Sequence, residues 1–471
     1  MLAARPPLAA AFLSFILPGL GQFFVGRRRA AILFAVPAIA AMGWFAVQLS
    51  QGFAWFGLSV FDETFAMTLI GVAGLLGLWR ILAVAHAFLA TRRTGGRRAW
   101  QTVVVALLLV SIVAVHGYAM AITWDSYQSG VSMNNNEMLS NANLADPSDN
   151  PTTLPATPSP SPTPLVTPEP TPRGSSLLAP EITPSPTPIW PTTNPDRITF
   201  LLIGVDFMVG RGHALTDTMM LATLDVRTNK ATMISVPRDS AGFDLYYGGR
   251  VADNFKLNSL LSAAANASFG SPDTAINTLK KEIGFLTGLP VDYYAAVDMD
   301  GFVAVVQALG GVDIDVKTAV NDPSTGTFIP RGMIHMDGHV ALKYCRSRET
   351  SSDYARAARQ QEVLTALAKK VVTPAIVPQL PALLALAGST IATDFPLKIA
   401  RNFVTAFRRV KEPYKCVLGP PYNYHPDSST TGGSWTSRLD IARIANLSVW
   451  LFGTESTYYG RPGVTPAPCG A

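Results

Sequence analysis

Three long apolar runs, Ala31–Leu49, Ala66–Ala90 and Thr102–Ile122, dominate the first quarter of the chain. Each approaches or exceeds the roughly 20 residues that carry a helix across a hydrocarbon layer, so each reads as a spanning helix. A fourth run, Leu8–Val25, is broken by "PGLGQ" at Pro18–Gln22 and predicts a kinked span or a re-entrant hairpin. Basic residues set the orientation. Arg27, Arg28 and Arg29 precede Ala31–Leu49, and Arg92, Arg93, Arg97 and Arg98 lie between Ala66–Ala90 and Thr102–Ile122, which puts both loops in the cytoplasm and everything after the last span outside it. Residues 1–123 are therefore expected to form a helical membrane domain of three or four spans. Arg80 and His86 interrupt Ala66–Ala90, and an intramembrane arginine serves a function, snorkels or pairs with a helix carbonyl.

The pattern then changes twice. Over residues 124–195 the chain turns polar, and from Pro147 to Pro195 roughly a third of it is proline, much of it as "TPSPSPTP". Such a stretch cannot bury a core and predicts an extended extracytoplasmic spacer, with a reach on the order of 150 Å at about 3.1 Å per residue. From residue 196 the period shortens. "RITFLLIGVD" (Arg197 to Asp206) reads as a buried strand ending on an acid, and "DTMMLATLDV" and "ATMISVPRDS" as two alternating strands joined by "RTNK". Helix-like "TAINTLKKEIGFLTG", a strand in "DYYAAVDMD", a helix in "GFVAVVQALGG" and a strand in "VDIDVK" follow. Strands alternating with helices predict an α/β outer domain over residues 196–455, with a central mixed sheet covered by helices on both faces and sites at strand ends; residues 456–471 read as a tail.

Composition narrows the chemistry. The formal charge of +5 over 471 residues averages unlike parts, and no zinc-finger spacing or basic arm interleaved with aromatics points to nucleic acid. The three cysteines, Cys345, Cys416 and Cys469, make no CxxC, and an external location would permit a Cys416–Cys469 disulfide. There is no GxxxxGK[ST] loop and no GxSxG elbow. His335 and His339 make an HxxxH around a "DG" that predicts a turn, with no third metal ligand nearby.

What remains is an arginine cluster facing acids. "YCRSRETSSDYARAARQQEV" places Arg346, Arg348, Arg356 and Arg359 in one short run. With a helix capped near Asp353, the residues Gln360, Val363, Leu364, Leu367 and Val371 make one apolar stripe, and extending it one turn back lands on Arg356. An arginine heading a buried face needs a partner, because an unpaired buried charge costs several kcal/mol. Arg346 and Arg348, two apart after "VALKY", are expected to point the same way from an extended segment. With Asp206 and Asp217 at strand ends, Arg238, and Lys256 in "FKLN", the set suits a phosphorylated substrate held with Mg²⁺. Carboxylates take the metal and guanidinium forks take the phosphate oxygens.

The order "LLIGVD", "DTMMLATLD", "ISVPRD", "KLN", "VDMDGFVAVVQALGGVDIDV", "ALKYCRSR", "DYARAARQQ" resembles the LytR-CpsA-Psr family of cell-envelope phosphotransferases over about Pro195 to Gly453. The resemblance implies a membrane-anchored transferase working outside the cytoplasm, with a polyprenyl-pyrophosphate-linked glycan as donor and a cell-wall hydroxyl, usually of peptidoglycan, as acceptor. It implies that Asp206 and Asp217 match the magnesium-site acids. Arg238, Arg346, Arg348 and Arg356 match residues around the pyrophosphate, with Lys256, Gln360 and, beside them, Arg359 as binding residues. Asp353 matches the acid of the DxxR element. The family commonly has an arginine two places before the second acid, where this chain has Leu215 in "ALTD": either Arg211 swings in, or the site is weaker and binds without efficient catalysis. The alternatives are a polyprenyl-pyrophosphate hydrolase, the same site with water as acceptor, and a non-catalytic regulator that binds lipid-linked glycan.

Overall fold

The computed structural model describes residues 6–91, 99–139, 196–206, 214–266, 269, 271–348, 352–371, 373, 376, 379–426, 435–453 and 464–469. They fall into two compact units. One comprises Met1–Asn134 with Lys369–Ser389 and Pro396–Arg408, and the other Asn135–Ala368 with Thr390–Phe395 and Arg409–Ala471.

In the first unit three helices, Arg28–Ser50, Glu63–Ala90 and Ala99–Asn134, are long and apolar enough to cross a membrane. The broken run becomes two short helices, Pro7–Ile16 and Leu20–Phe24, with Gly19 at φ +101 between them. A Cβ on Gly21 would sit 1.9 Å from the Ala10 carbonyl oxygen, so the second helix lies folded back on the first, the hairpin of the two expected forms. Gln22 fastens it: its Nε2 donates to the Ala83 carbonyl at 2.8 Å and its Oε1 accepts from Ser14 Oγ at 2.9 Å. Arg80 donates to the Phe15 carbonyl at 2.5 Å with its guanidinium 5.4 Å from the Phe15 ring. It pairs with a helix carbonyl, the last of the roles expected for it.

The expected spacer starts too early. The last long helix runs on to Asn134, and the next residues belong to the outer domain: Leu139 is buried in its core, and Asn136 Nδ2 donates to the Ile391 carbonyl at 3.4 Å. Apolar side chains at Met138 and Leu139 drive this return, which a local count of polar residues hides. Residues 140–195, the proline-rich part, lie outside the described residues, and they join two parts of one domain. The tail also departs from expectation, since Cys469 is disulfide-bonded to Cys416 and Tyr422 Oη donates to the Pro468 carbonyl at 2.6 Å.

The second unit is built on a six-stranded sheet. Its strands are β1 (Arg197–Asp206), β2 (Leu215–Asp225), β3 (Lys230–Ser235), β4 (Tyr293–Asp298), β9 (Ile391–Thr393) and β10 (Tyr414–Val417), in the order β10-β3-β2-β1-β4-β9. The pairs β1–β4 and β10–β3 are parallel and the others antiparallel, which makes the sheet mixed. "VDIDVK" forms β5 (Val312–Val316), but outside this sheet: it pairs with β8 (Gly332–Met336), while β6 (Val320–Asp322) pairs with β7 (Thr327–Ile329). β11 (Asn423–Tyr424) and β12 (Arg438–Leu439) make a last short ribbon.

The two faces of the sheet differ. Alternate residues of β1, Leu201, Ile203 and Val205, are buried against Leu260 and Leu261, Leu279 and Ile283 of the Ala275–Thr287 helix, and Ile444 and Leu447 of the Ile441–Phe452 helix. The opposite face carries smaller residues, Gly204 in β1 and Ala295 in β4, and is covered by the helices Met299–Ala308, Gly338–Arg346 and Asp353–Val371, leaving a hollow described below. Asp298 and Asp337 cap the first two of these by accepting from Gly301 N and Val340 N at 2.7 and 2.8 Å. The "DG" of the HxxxH is thus a helix start. His335 stands in β8 against Asp313 at 2.8 Å, and no group of three or more metal-ligating side chains occurs among the described residues.

On the filled side, Glu282 is buried at 1% exposure, with Oε2 accepting from Tyr246 N at 2.9 Å and Oε1 without a partner. Burial pushes its carboxyl up from the ordinary 4.5 to about 8, against the Tyr246 bond and helped by Asp244. A carboxyl raised on folding contributes stability that is complete below the unfolded value and lost as pH climbs to about 8. Glu282→Gln, which keeps an acceptor for Tyr246, should remove that slope and leave the variant more stable than the parent at pH 8 by a few kcal/mol. Thermal melts at pH 5 and pH 8 check this: an advantage for the variant that does not grow between the two would contradict it.

Candidate active site

A cavity of about 320 Å³ occupies the hollow face of the sheet. Its inner wall is apolar, with Leu202, Ala295, Val297, Phe302, Leu342, Leu364 and Ile391; its polar lining comprises Asp217, Asp298, Arg238, Arg346, Arg348, Arg356 and the neutral Gln360, most of it at the mouth. The structure therefore brings six of the ten expected site residues to one opening.

A β-bulge aims the acid. Gly204 of β1 faces Thr218, but Val205 faces Thr216, so Asp217 is the extra residue of β2 and leaves the ladder at the sheet's edge of the cavity. There its Oδ1 accepts from Arg238 at 2.6 Å. Arg238 also meets Asp353 at 3.5 Å and Asp239 at 3.7 Å. Asp353, at the start of its helix, in turn takes Arg356 at 2.9 Å and Arg348 at 3.8 Å. It shares with Asp217, Arg238 and Arg356 a second crevice that opens past Tyr354. Lys256 stays off the cavity wall and pairs with Asp239 at 2.8 Å.

The charges do not balance. Five cations, Arg238, Arg346, Arg348, Arg356 and Lys256, gather with four carboxylates, Asp217, Asp239, Asp353 and the helix-capping Asp298. Burial alone would lower the Arg238 pKa, but Asp217, Asp353 and Asp239 outweigh it and the net shift is upward. Arg356, 7% exposed, goes the other way: burial and then repulsion from Arg238 lower it, and Asp353 offsets this only in part. The Nε of Arg356 is buried without a hydrogen-bond partner, whereas that of Arg238 is buried at ion-pair distance from Asp353 and Asp239. An incompletely paired arginine cluster at the mouth of an apolar cavity suits an anion carried on an apolar chain.

Three expectations change. Arg359 does not line the cavity: its guanidinium holds the end of the preceding helix, with Nε donating to the Tyr344 carbonyl at 2.9 Å and a second nitrogen to the Ser347 carbonyl, 5.6 Å from the Tyr344 ring. One residue of helical rotation, about 100°, separates it from Gln360 and turns it toward the backbone. Asp206 ends β1 buried, opposite Leu215, and is not part of the cavity lining. Arg346 closes the Gly338–Arg346 helix where an extended segment was expected, because Asp337 nucleates a helix that the alternation in "VALKY" disguises; Ser347 then turns the chain, and Arg348 still reaches the mouth. Arg211 falls outside the described residues.

Other features escaped the sequence. Val363 and Leu367 are buried as expected, but Val371 is exposed, and Gln361 is the buried glutamine, with Nε2 donating to Ser235 Oγ at 2.9 Å and the Cys416 carbonyl at 2.8 Å. Gln360 and Leu364 face the cavity instead of a core. Cys345 also lines it, but burial pushes its thiol up to about 12, which removes it as a nucleophile at ordinary pH.

The LytR_cpsA_psr family model matches residues 179–417, just over half of the chain. Among curated proteins, the polyisoprenyl-teichoic acid–peptidoglycan teichoic acid transferase TagV of Bacillus subtilis is 25% identical over 276 residues, 57% of this chain and 61% of its own. The cell wall biosynthesis protein LcpA of Corynebacterium glutamicum is 31% identical over 176 residues, covering 34% and 33% of the two chains. The match thus spans about three fifths or less of these relatives' length. The crystal structure of B. subtilis TagV aligns with 54% of this chain and 94% of its own at a TM-score of 0.43 and 20% identity. With its strand-end acid, PRD turn and RSR and DxxRxxRQ elements inside the matched region, this chain belongs to the LytR-CpsA-Psr family.

Proposed function

We propose that the protein is a membrane-anchored phosphotransferase that moves a glycopolymer from a polyprenyl-pyrophosphate carrier to a hydroxyl of the cell wall, outside the cytoplasm. The observation that carries this reading is the cavity itself, an apolar pocket whose mouth holds incompletely paired arginines. A prenyl chain fits the first part and a pyrophosphate the second. The names of relatives such as TagV, which couple a polyisoprenyl-linked teichoic acid to peptidoglycan, support the same substrate class. So do the three apolar helices and the arginine-rich loops that orient them.

In this reading Arg346, Arg348 and Arg356 take the pyrophosphate oxygens, and the Nε of Arg356 gains the acceptor it lacks, while Arg238 stays anchored to Asp217 and Asp353. Asp353 stays between Arg238 and Arg356 and sets their spacing. Arg359 and Lys256 work at one remove, the first by holding the turn that presents Arg348, the second by neutralising Asp239. A loose phosphoryl transition state needs positioned positive charge more than covalent help, which is what this set supplies. Magnesium fits the donor set in part: Asp217 offers a carboxylate at the mouth, and a metal there would be completed by phosphate oxygens and water, as this ion ordinarily is. Bound, it would neutralise charge on the phosphates. Asp206 contributes to it only by a shift of the β1 end.

Lipid extracted from the purified full chain, after incubation with a polyprenyl-pyrophosphate glycan and washing, should contain the prenyl species at about one per protein. Leu364→Trp, which fills the inner wall, should lose it while melting normally. Equal retention of lipid by both proteins would contradict the assignment of the cavity.

A further inference from the structure

Beside the arginine mouth stands an aromatic shelf that none of the chemistry above uses. Trp435 is 56% exposed and its ring lies 4.5 Å from that of His425, which is also exposed. Tryptophan, with an apolar ring and a polar edge, is enriched where a protein binds other molecules. The imidazole is oriented: Nδ1 lies 3.0 Å from the Thr436 carbonyl, and a carbonyl only accepts, so the proton sits on Nδ1 and Nε2 keeps a lone pair. Nε2 is 3.4 Å from Tyr354 Oη, which donates to Asn423 Oδ1 at 2.9 Å. Tyr354 in turn borders the crevice that holds Asp217, Arg238, Asp353 and Arg356. A continuous run of contacts thus leads from the shelf to the phosphate-binding charges.

Beneath the shelf are buried polar atoms with nothing to bond: Asn423 Nδ2, Thr436 Oγ1 and Ser437 Oγ, on residues no more than 3% exposed. Such atoms are ordinarily satisfied by ordered water. An exposed aromatic ring face bordered by an oriented acceptor matches a pyranose, which has an apolar C–H face and a belt of hydroxyls. A prenyl chain would want the apolar part alone. A phosphate would want cations, and the shelf residues supply none.

We propose that Trp435, His425 and Tyr354 form a carbohydrate subsite that takes a pyranose ring of the acceptor glycan next to the pyrophosphate. The assignment of that ring to the acceptor rests on the transferase reading above. The shelf stacks the sugar on Trp435, and His425 Nε2 accepts one of its hydroxyls, which leaves another hydroxyl facing the crevice past Tyr354.

Isothermal titration of the full chain in detergent with a β-1,4-linked N-acetylhexosamine tetrasaccharide reads the subsite directly. Binding by the parent that weakens at least tenfold in Trp435→Ala and returns in Trp435→Phe supports it. No binding by the parent, or equal binding by the alanine variant, overturns it. Acceptor-dependent transfer from the lipid-linked pyrophosphate is measured in parallel and separates the two ideas. Trp435→Ala should bind the donor lipid as the parent does and raise the acceptor KM. A parent that transfers nothing at any acceptor concentration contradicts the transferase reading, while the titration still decides the subsite.

Discussion

Arg356→Lys is expected to lower the transfer rate roughly tenfold or more, on the order of 1.4 kcal/mol or above. The guanidinium is buried, held to Asp353 at 2.9 Å, and has an Nε without a partner. A planar fork can keep the Asp353 bond with one edge and offer another to a phosphate oxygen, which a lysine ammonium on its flexible stem cannot do. The benefit grows as charge develops on the leaving phosphate, so turnover should fall more than lipid binding. Alanine at the same position should cost more in both, because Asp353 would lose a partner inside the protein. Single-turnover rates and lipid dissociation constants measured on the same preparations check the split. A lysine variant with the parental rate would show that Arg356 is only a structural partner of Asp353.

Asp217→Asn is expected to have the larger effect, a loss of about 100-fold, near 2.7 kcal/mol in the activation barrier. The bulge presents this carboxylate at the cavity mouth, and Arg238 depends on it at 2.6 Å. Asparagine keeps the size and an acceptor but removes the charge that would hold magnesium and steady Arg238. EDTA should therefore silence the parent and change the variant little, and added Mg²⁺ should restore the parent alone. A fully active parent in EDTA would take the metal out of the mechanism and leave Asp217 as the positioner of Arg238.

Much of this was legible in the residue pattern. Strand alternation located β1, β2, β3 and β4, and charge on an apolar helix stripe singled out Arg356. What stayed hidden shares one cause: it depends on what stands opposite. The bulge at Asp217 exists only in the register between β1 and β2. Gln360 and Leu364 belong to a stripe that meets a void, and a periodic stripe does not say whether its partner is a core or a cavity. Arg359 is as basic as its neighbours and differs only in facing backbone carbonyls. "VALKY" alternates like a strand, yet Asp337 caps it into a helix. Leu139 returns to the core from a polar neighbourhood, which composition alone assigned to a spacer.

The central claim is that this site transfers a glycan to a wall acceptor instead of merely binding or hydrolysing the carrier. The direct measurement incubates the full chain with a radiolabelled polyprenyl-pyrophosphate oligosaccharide, with and without peptidoglycan, and follows label in the insoluble wall fraction and in released prenyl phosphate. Acceptor-dependent label in the wall, matched by prenyl phosphate, is the predicted result. Prenyl phosphate released at the same rate with and without peptidoglycan, with no label in the wall, would contradict it.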